Sequence, residues 1–121
     1  MNFDFRKGRI TIVIAPVDMR SGFDRLSSLA LNQLSIQVSL GRDFVVFVSR
    51  SSKLCKMIWS DESGCCTLTR RLHVGRFERF LAKLDEPATR IFTYEDLCSF
   101  LDGERIMVRR RHIHEGQVSI S

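Results

Sequence analysis

Across residues 44–72 the chain carries three apolar runs, FVVFV, LCKMIWS and CCTLTRRL, separated only by SRSSK and DESG. Neither connection approaches the dozen or so residues that a crossover between parallel strands needs, so the runs must fold back on one another. This predicts strands over residues 44–48, 54–60 and 65–72, paired in sequence order as a three-stranded antiparallel meander.

The flanking segments add helices and further strands. Residues 10–15 alternate β-branched side chains and read as a strand that Pro16 ends. In PVDMRSGFDRL, Ser21 is the expected helix N-cap, with Asp24 as a shortened capping box. Phe23, Leu26, Leu29, Ala30 and Leu34 then form a helical stripe. Residues 36–40 read as a short strand or extended loop, and residues 41–43 as a turn. Phe77, Phe80, Leu81 and Leu84 predict a helix over 76–84, broken by Pro87. A short strand over 89–92 precedes a helix over 94–101, capped by Thr93 and Asp96 and closed by Gly103. Residues 106–108 could add an edge strand. The expected fold is α+β: a single domain over residues 1–103, mainly an antiparallel sheet with a central three-stranded meander and about three short helices. Residues 104–121 form a basic tail bearing Arg105, Arg109, Arg110 and Arg111.

At 121 residues, 44% hydrophobic and 27% charged, the chain has ordinary globular values that exclude wholesale disorder. No run approaches about 20 apolar residues, so no membrane-spanning helix is expected. The opening MNFDFRKGR lacks a signal peptide's apolar stretch, which makes a cytoplasmic location the expectation. Cys55, Cys65, Cys66 and Cys98 show no CxxC spacing and are expected as reduced, packed thiols.

Catalytic chemistry finds little support. Asp18, Asp24, Asp61 and Glu62 could supply an acidic metal site, but each also fits a turn or cap. No local signature joins a cysteine to His73, His112 or His114. His112 and His114 lack a third ligand at a recognisable spacing. No phosphate-binding glycine motif is present. The expectation is a nonenzymatic protein without metal or cofactor.

The basic residues are more informative. Net charge is +5. Arg50, Lys53 and Lys56 lie in and after one loop, while Arg70, Arg71, Arg76 and Arg79 follow the meander. Lys56 and Arg70, on adjacent strands, are expected to share one surface beside Trp59, a platform for phosphates and bases. In the bland alternative Trp59 is core and the charges are solvated. Arg20 beside a helix N-terminus is electrostatically unfavourable unless an anion accompanies it. Either Asp18 or a DNA phosphate could be that anion.

Taken in order, PVDMRSGFDRL, VFVSR, KMIWSDESG and TRRLHVGRF resemble the small accessory protein encoded by the second open reading frame (TnpB type) of the insertion-sequence sixty-six family of transposable elements. The matching positions are Asp18, Met19, Arg20, Gly22, Phe23 and Asp24, then Phe47 and Arg50, then Lys56, Asp61 and Gly64. Arg70, Arg71, Leu72, Gly75, Arg76 and Phe77 complete them. The likeness is good over residues 16–80 and thinner through Thr93, Leu97, Leu101 and Gly103. Ser51 and Ser52 stand where the family often has basic residues, and Ser60 where many members have an aromatic. The resemblance implies a role in transposition beside a separate transposase that carries the catalytic acids. The expected function is therefore that of a noncatalytic accessory protein binding DNA, or a transposase–DNA complex, through Arg20, Arg50, Lys53, Lys56, Arg70, Arg71 and Arg76. The alternative is an adaptor that docks on the transposase without touching DNA. An exposed meander edge leaves room for a dimer.

Overall fold

The two short connections close as hairpins. The backbone N–H of Asp61 donates to Gly64 O at 2.9 Å, and Ser49 N–H donates to Leu54 O at 2.9 Å. The computed structural model describes residues 4–14, 16–80 and 89–106. Its strands are β1 (Arg9–Val13), β2 (Asp43–Val48), β3 (Leu54–Ser60), β4 (Cys65–Arg71) and β5 (Thr89–Phe92). They form one sheet in the order β4-β3-β2-β1-β5. The helices are α1 (Phe23–Leu34) and α2 (Tyr94–Leu101). This is a single-domain α+β fold with a mostly antiparallel five-stranded sheet.

β2, β3 and β4 pair antiparallel in succession, with Val45 opposite Ile58 and Met57 opposite Leu68. They occupy one side of the sheet instead of its centre. β1 joins the other flank of β2 in parallel, with Ile10 opposite Phe44, and β5 pairs antiparallel with β1. Parallel neighbours need a crossover, and residues 14–42, which contain α1, provide it.

Strand alternation divides the core between the two faces. Ile10, Ile12, Phe44, Val46, Cys55, Met57 and Trp59 pack with Phe77, Phe92, Leu97, Phe100 and Ile106 on the α2 face. Val13, Val45, Phe47 and Ile58 pack with Leu26, Ala30 and Val38 on the α1 face. With both faces covered, every residue of β2 is buried, which accounts for its uninterrupted apolar run.

α2 has the ends its sequence announces. Thr93 accepts from Asp96 N–H at 3.0 Å, and the Asp96 carboxylate accepts from Thr93 N–H at 3.1 Å. Gly103, at φ 79°, closes the helix; its N–H reaches Phe100 O and that of Glu104 reaches Ser99 O.

Elsewhere the structure corrects the sequence reading. The N-cap of α1 is Gly22, with no side-chain cap hydrogen bond, and Ser21 is buried. Residues 38–40 form a 3₁₀ turn, because Val38 is anchored in the core and Gly41 reverses the chain at φ 74°. Residues 76–80 form no helix, and residues 81–84 lie outside the described part. Phe77 N–H is drawn to Ser52 O at 2.7 Å, and the Glu78 carboxylate accepts from Ile106 N–H. These tertiary bonds override the local helical spacing. Two α-helices lie wholly among the described residues, and Ile106 is also in helical conformation. Ile106 is a buried core residue and not part of a strand, while 107 and 108 are outside the described part. Of the thiols, only Cys55 is fully packed. Cys65 and Cys98 are exposed, the latter because Leu97 and Phe100 define the inward side of α2.

Phe100 is stacked on Phe77, with ring centroids 5.1 Å apart, and lies 5.4 Å from Phe92. Phe100→Ala should lower unfolding free energy by about 3–5 kcal/mol. Thr93→Ala, which removes only the cap, should cost about 1 kcal/mol. Urea denaturation curves of the two variants check both figures.

Candidate functional site

β1 and β2 run parallel, and two antiparallel steps make β4 run the same way. The chain therefore leaves all three strands at one end of the sheet. The corner after β1, the loop after β2 and Arg71 at the end of β4 meet there around an open cleft of about 560 Å³. Pro16, Val17, Asp18, Met19 and Arg20 form one wall; Ser49, Arg50, Ser51, Leu54 and Arg71 form the other.

The corner is held by its own ion pair. Arg20 N–H donates to Asp18 Oδ1 at 2.9 Å, and the Arg20 guanidinium grips both oxygens at 2.8–3.2 Å. These side-chain bonds, and next the backbone bond from Arg20, hold the Asp18 carboxyl down at about 2. Asp18 is thus the anion that Arg20 requires. The corner is tied to the sheet by Val17 N–H on Val48 O and by Lys56, whose ammonium donates to Ser21 O at 2.9 Å.

The opposite wall is held by Arg79. Its guanidinium donates to the carbonyls of Ser49 and Arg50, at 3.0 and 2.6 Å, and to Ser52 Oγ at 2.8 Å. Ser52 adopts a left-handed φ of 63°, a region that serine seldom occupies. Ser49 Oγ accepts from Leu54 N–H. The loop is thus fixed from beneath, and Arg50 stays exposed at the cleft.

A family model described as "IS66 Orf2 like protein" matches residues 8–111. The chain belongs to this IS66 Orf2-like family. The uncharacterized protein y4hO of Sinorhizobium fredii is 42% identical over 69 residues, 57% of this chain and 59% of that protein, so the match spans less than two thirds of that relative. No solved structure matches.

The motif positions singled out in the sequence are mainly architectural. Asp18, Met19, Gly22, Phe23 and Asp24 build the corner, with Met19 and Phe23 against the α1-side core and Asp24 in the first helical turn. Asp61 Oδ1 accepts from Ser63 and Gly64 N–H and closes the far hairpin. Gly75 adopts φ 81°, a left-handed turn that disfavours any side chain, and Phe77 is buried core.

The seven basic candidates separate. Arg20, Arg50 and Arg71 line the cleft. Lys53 and Arg76 are exposed beside it, next to the backbone bonds Leu72 N–H to Lys53 O and Phe77 N–H to Ser52 O. Lys56 and Arg70 do not share a surface. Lys56 lies opposite Thr69 while Arg70 lies opposite Cys55, so the two point to different faces. Arg70 docks α2 instead, with Nε on Leu101 O at 2.6 Å and a 3.7 Å ion pair to Asp102. Trp59, 3% exposed, packs edge-on to Phe5 in the core and offers no platform for bases. Arg79, grouped in the sequence only with the other arginines that follow the meander, is the fastener of the site; its place in GRFER was visible, but not its reach back 27 to 30 positions to the loop.

The carboxylates do not converge. Asp18 lines the cleft with Leu54 at the start of β3, Asp24 lies in the first turn of α1, and Asp61 and Glu62 follow the end of β3. Among the described residues no group of three or more His, Cys, Asp or Glu could hold a metal ion; His112 and His114 lie outside them. No described helix is long and apolar enough to cross a membrane.

Lys56→Ala removes a charged donor from a half-buried carbonyl and should destabilise by about 1–2 kcal/mol. Arg50→Ala should stay within about 0.5 kcal/mol. Thermal melts of both variants separate the structural cation from the exposed one. Because the Asp18 pKa is depressed, its stabilising pairing is complete above the ordinary 3.8 and is lost as pH falls through about 2. Carboxyl NMR should place the Asp18 midpoint near 2, and Arg20→Ala should return it toward 3.8.

Proposed function

We propose that the chain is a noncatalytic accessory protein of transposition that binds DNA, alone or together with the transposase, through the cleft of Arg20, Arg50 and Arg71. Lys53 and Arg76 extend the positive surface to either side. The observation that carries this reading is that Arg50 and Arg71, from separate parts of the chain, line one cleft with no carboxylate partner among the described residues. Such groups neutralise phosphates with little sequence preference. Lys56 and Arg70 drop out of the contact surface, since both are engaged within the fold. The protein works in the cytoplasm, where the element's DNA and transposase are.

A second reading, docking on the transposase without DNA contact, draws on Val74. It is 89% exposed between His73 and the left-handed Gly75, beside Arg76, and makes an apolar tip suited to a protein partner.

Fluorescence anisotropy with duplex DNA carrying the element's ends tests the first reading. If three phosphates are neutralised, affinity should fall roughly 40-fold between 50 and 200 mM salt, from a slope of about 0.9 per phosphate. The double reversal Arg50→Glu and Arg71→Glu should reduce the salt slope by about two. Lack of any complex at low salt, with copurification of the transposase from nuclease-treated extract, would decide for the adaptor.

A further inference from the structure

β4 ends the sheet, and among the described residues nothing pairs with its outer edge. The bonds Leu72 N–H to Lys53 O and Asp61 N–H to Gly64 O set the phase of the β3–β4 ladder. Antiparallel bonding alternates, so Cys66, Leu68 and Arg70 turn their backbone groups toward β3. Cys65, Thr67, Thr69 and Arg71 turn theirs outward, and all four are exposed. The devices that usually protect an edge are missing: this stretch has no proline, and its middle has no charge.

We propose that the outer edge of β4 pairs antiparallel with β4 of a second copy of this chain, about a two-fold axis at Leu68. Leu68 is the middle residue of Cys65–Arg71, so this register uses the whole strand. It places Thr67 opposite the second copy's Thr69 in hydrogen-bonded pairs, a favourable cross-strand combination. Leu68 meets its own equivalent on the α2 face, where it already packs against the core. Charge selects the direction. Arg70 and Arg71 sit together at one end of the strand, and the Asp61–Glu62 turn adjoins the other. A parallel pairing would set arginine against arginine. The antiparallel one places each arginine pair toward the second copy's acidic hairpin. A two-fold axis normal to the sheet keeps both α1 helices on one face and carries the second copy's basic cleft to the opposite end of the extended sheet; the dimer does not rest on DNA binding.

Sedimentation across the micromolar range should give twice the monomer mass for the full chain. Thr67→Pro removes an outward N–H without taking a bond from β3. The double variant Thr67→Lys and Thr69→Lys sets lysine against lysine across the axis. Each should sediment as a monomer, with unchanged far-ultraviolet circular dichroism. In the unmodified protein, the Thr67 and Thr69 amides should exchange with deuterium more slowly as concentration rises. A monomer at every concentration overturns the proposal, whether the edge belongs to a transposase strand or to residues 107–121. So does a folded variant that stays dimeric, or fast exchange at both amides throughout.

Discussion

The parallel pairing of β1 with β2 governs the architecture. Strands side by side and pointing the same way cannot be joined by a hairpin, so the chain must leave the sheet, cross one face and return. α1 is that crossing, and it seals the face carrying Val45, Phe47 and Ile58. The register is reinforced where the pairing begins, by a 3.3 Å ion pair between the directly opposed Arg9 and Asp43. The same pairing sends the exits of β1 and β2 to one end of the sheet, and the two hairpins bring the end of β4 there as well. Three stretches distant in sequence thus adjoin because of strand direction alone, and the basic cleft is the space between them.

Strand direction is also what the sequence conceals. The hairpins of β2, β3 and β4 were legible because their connections are too short for any other path. α2 was legible because Thr93, Asp96 and Gly103 satisfy its ends in the chain's own vicinity. β1 was legible as a strand, but nothing in RITIV names its partner. The faces of β3 and β4 were recoverable in principle. A turn flanked by Ser60 and Cys65 fixes their opposition, and counting back from it puts Thr69 opposite Lys56. Lys56 and Arg70, both even-numbered, then fall on opposite faces, since one residue of register exchanges them. Residues 76–80 show the reverse case. Their apolar spacing suits a helix, yet the backbone is claimed by Ser52 and the side chains by the loop and Ile106.

The basic excess divides by what each cation can reach. A carbonyl at a helix end or in a loop lacks a ladder partner, and a long cationic side chain can supply one. Arg70 does this for Leu101, where it also faces the negative end of the α2 dipole. Arg79 does it for Ser49 and Arg50, and Lys56 for Ser21. These three are internal fasteners, and their positive charge is already answered by backbone oxygen. Arg20 is answered by a carboxylate, although its side chain remains 91% exposed. Arg50 and Arg71 are left without a carboxylate among the described residues, and the fasteners hold them in place. Lys56 fixes the wall that faces Arg50, and Arg79 fixes the backbone from which Arg50 projects. A net charge of +5 therefore overstates the surface open to a polyanion. The uncommitted part is a small cluster on a backbone that Lys56 and Arg79 hold in place, so the proposed phosphate contact would cost little loop entropy.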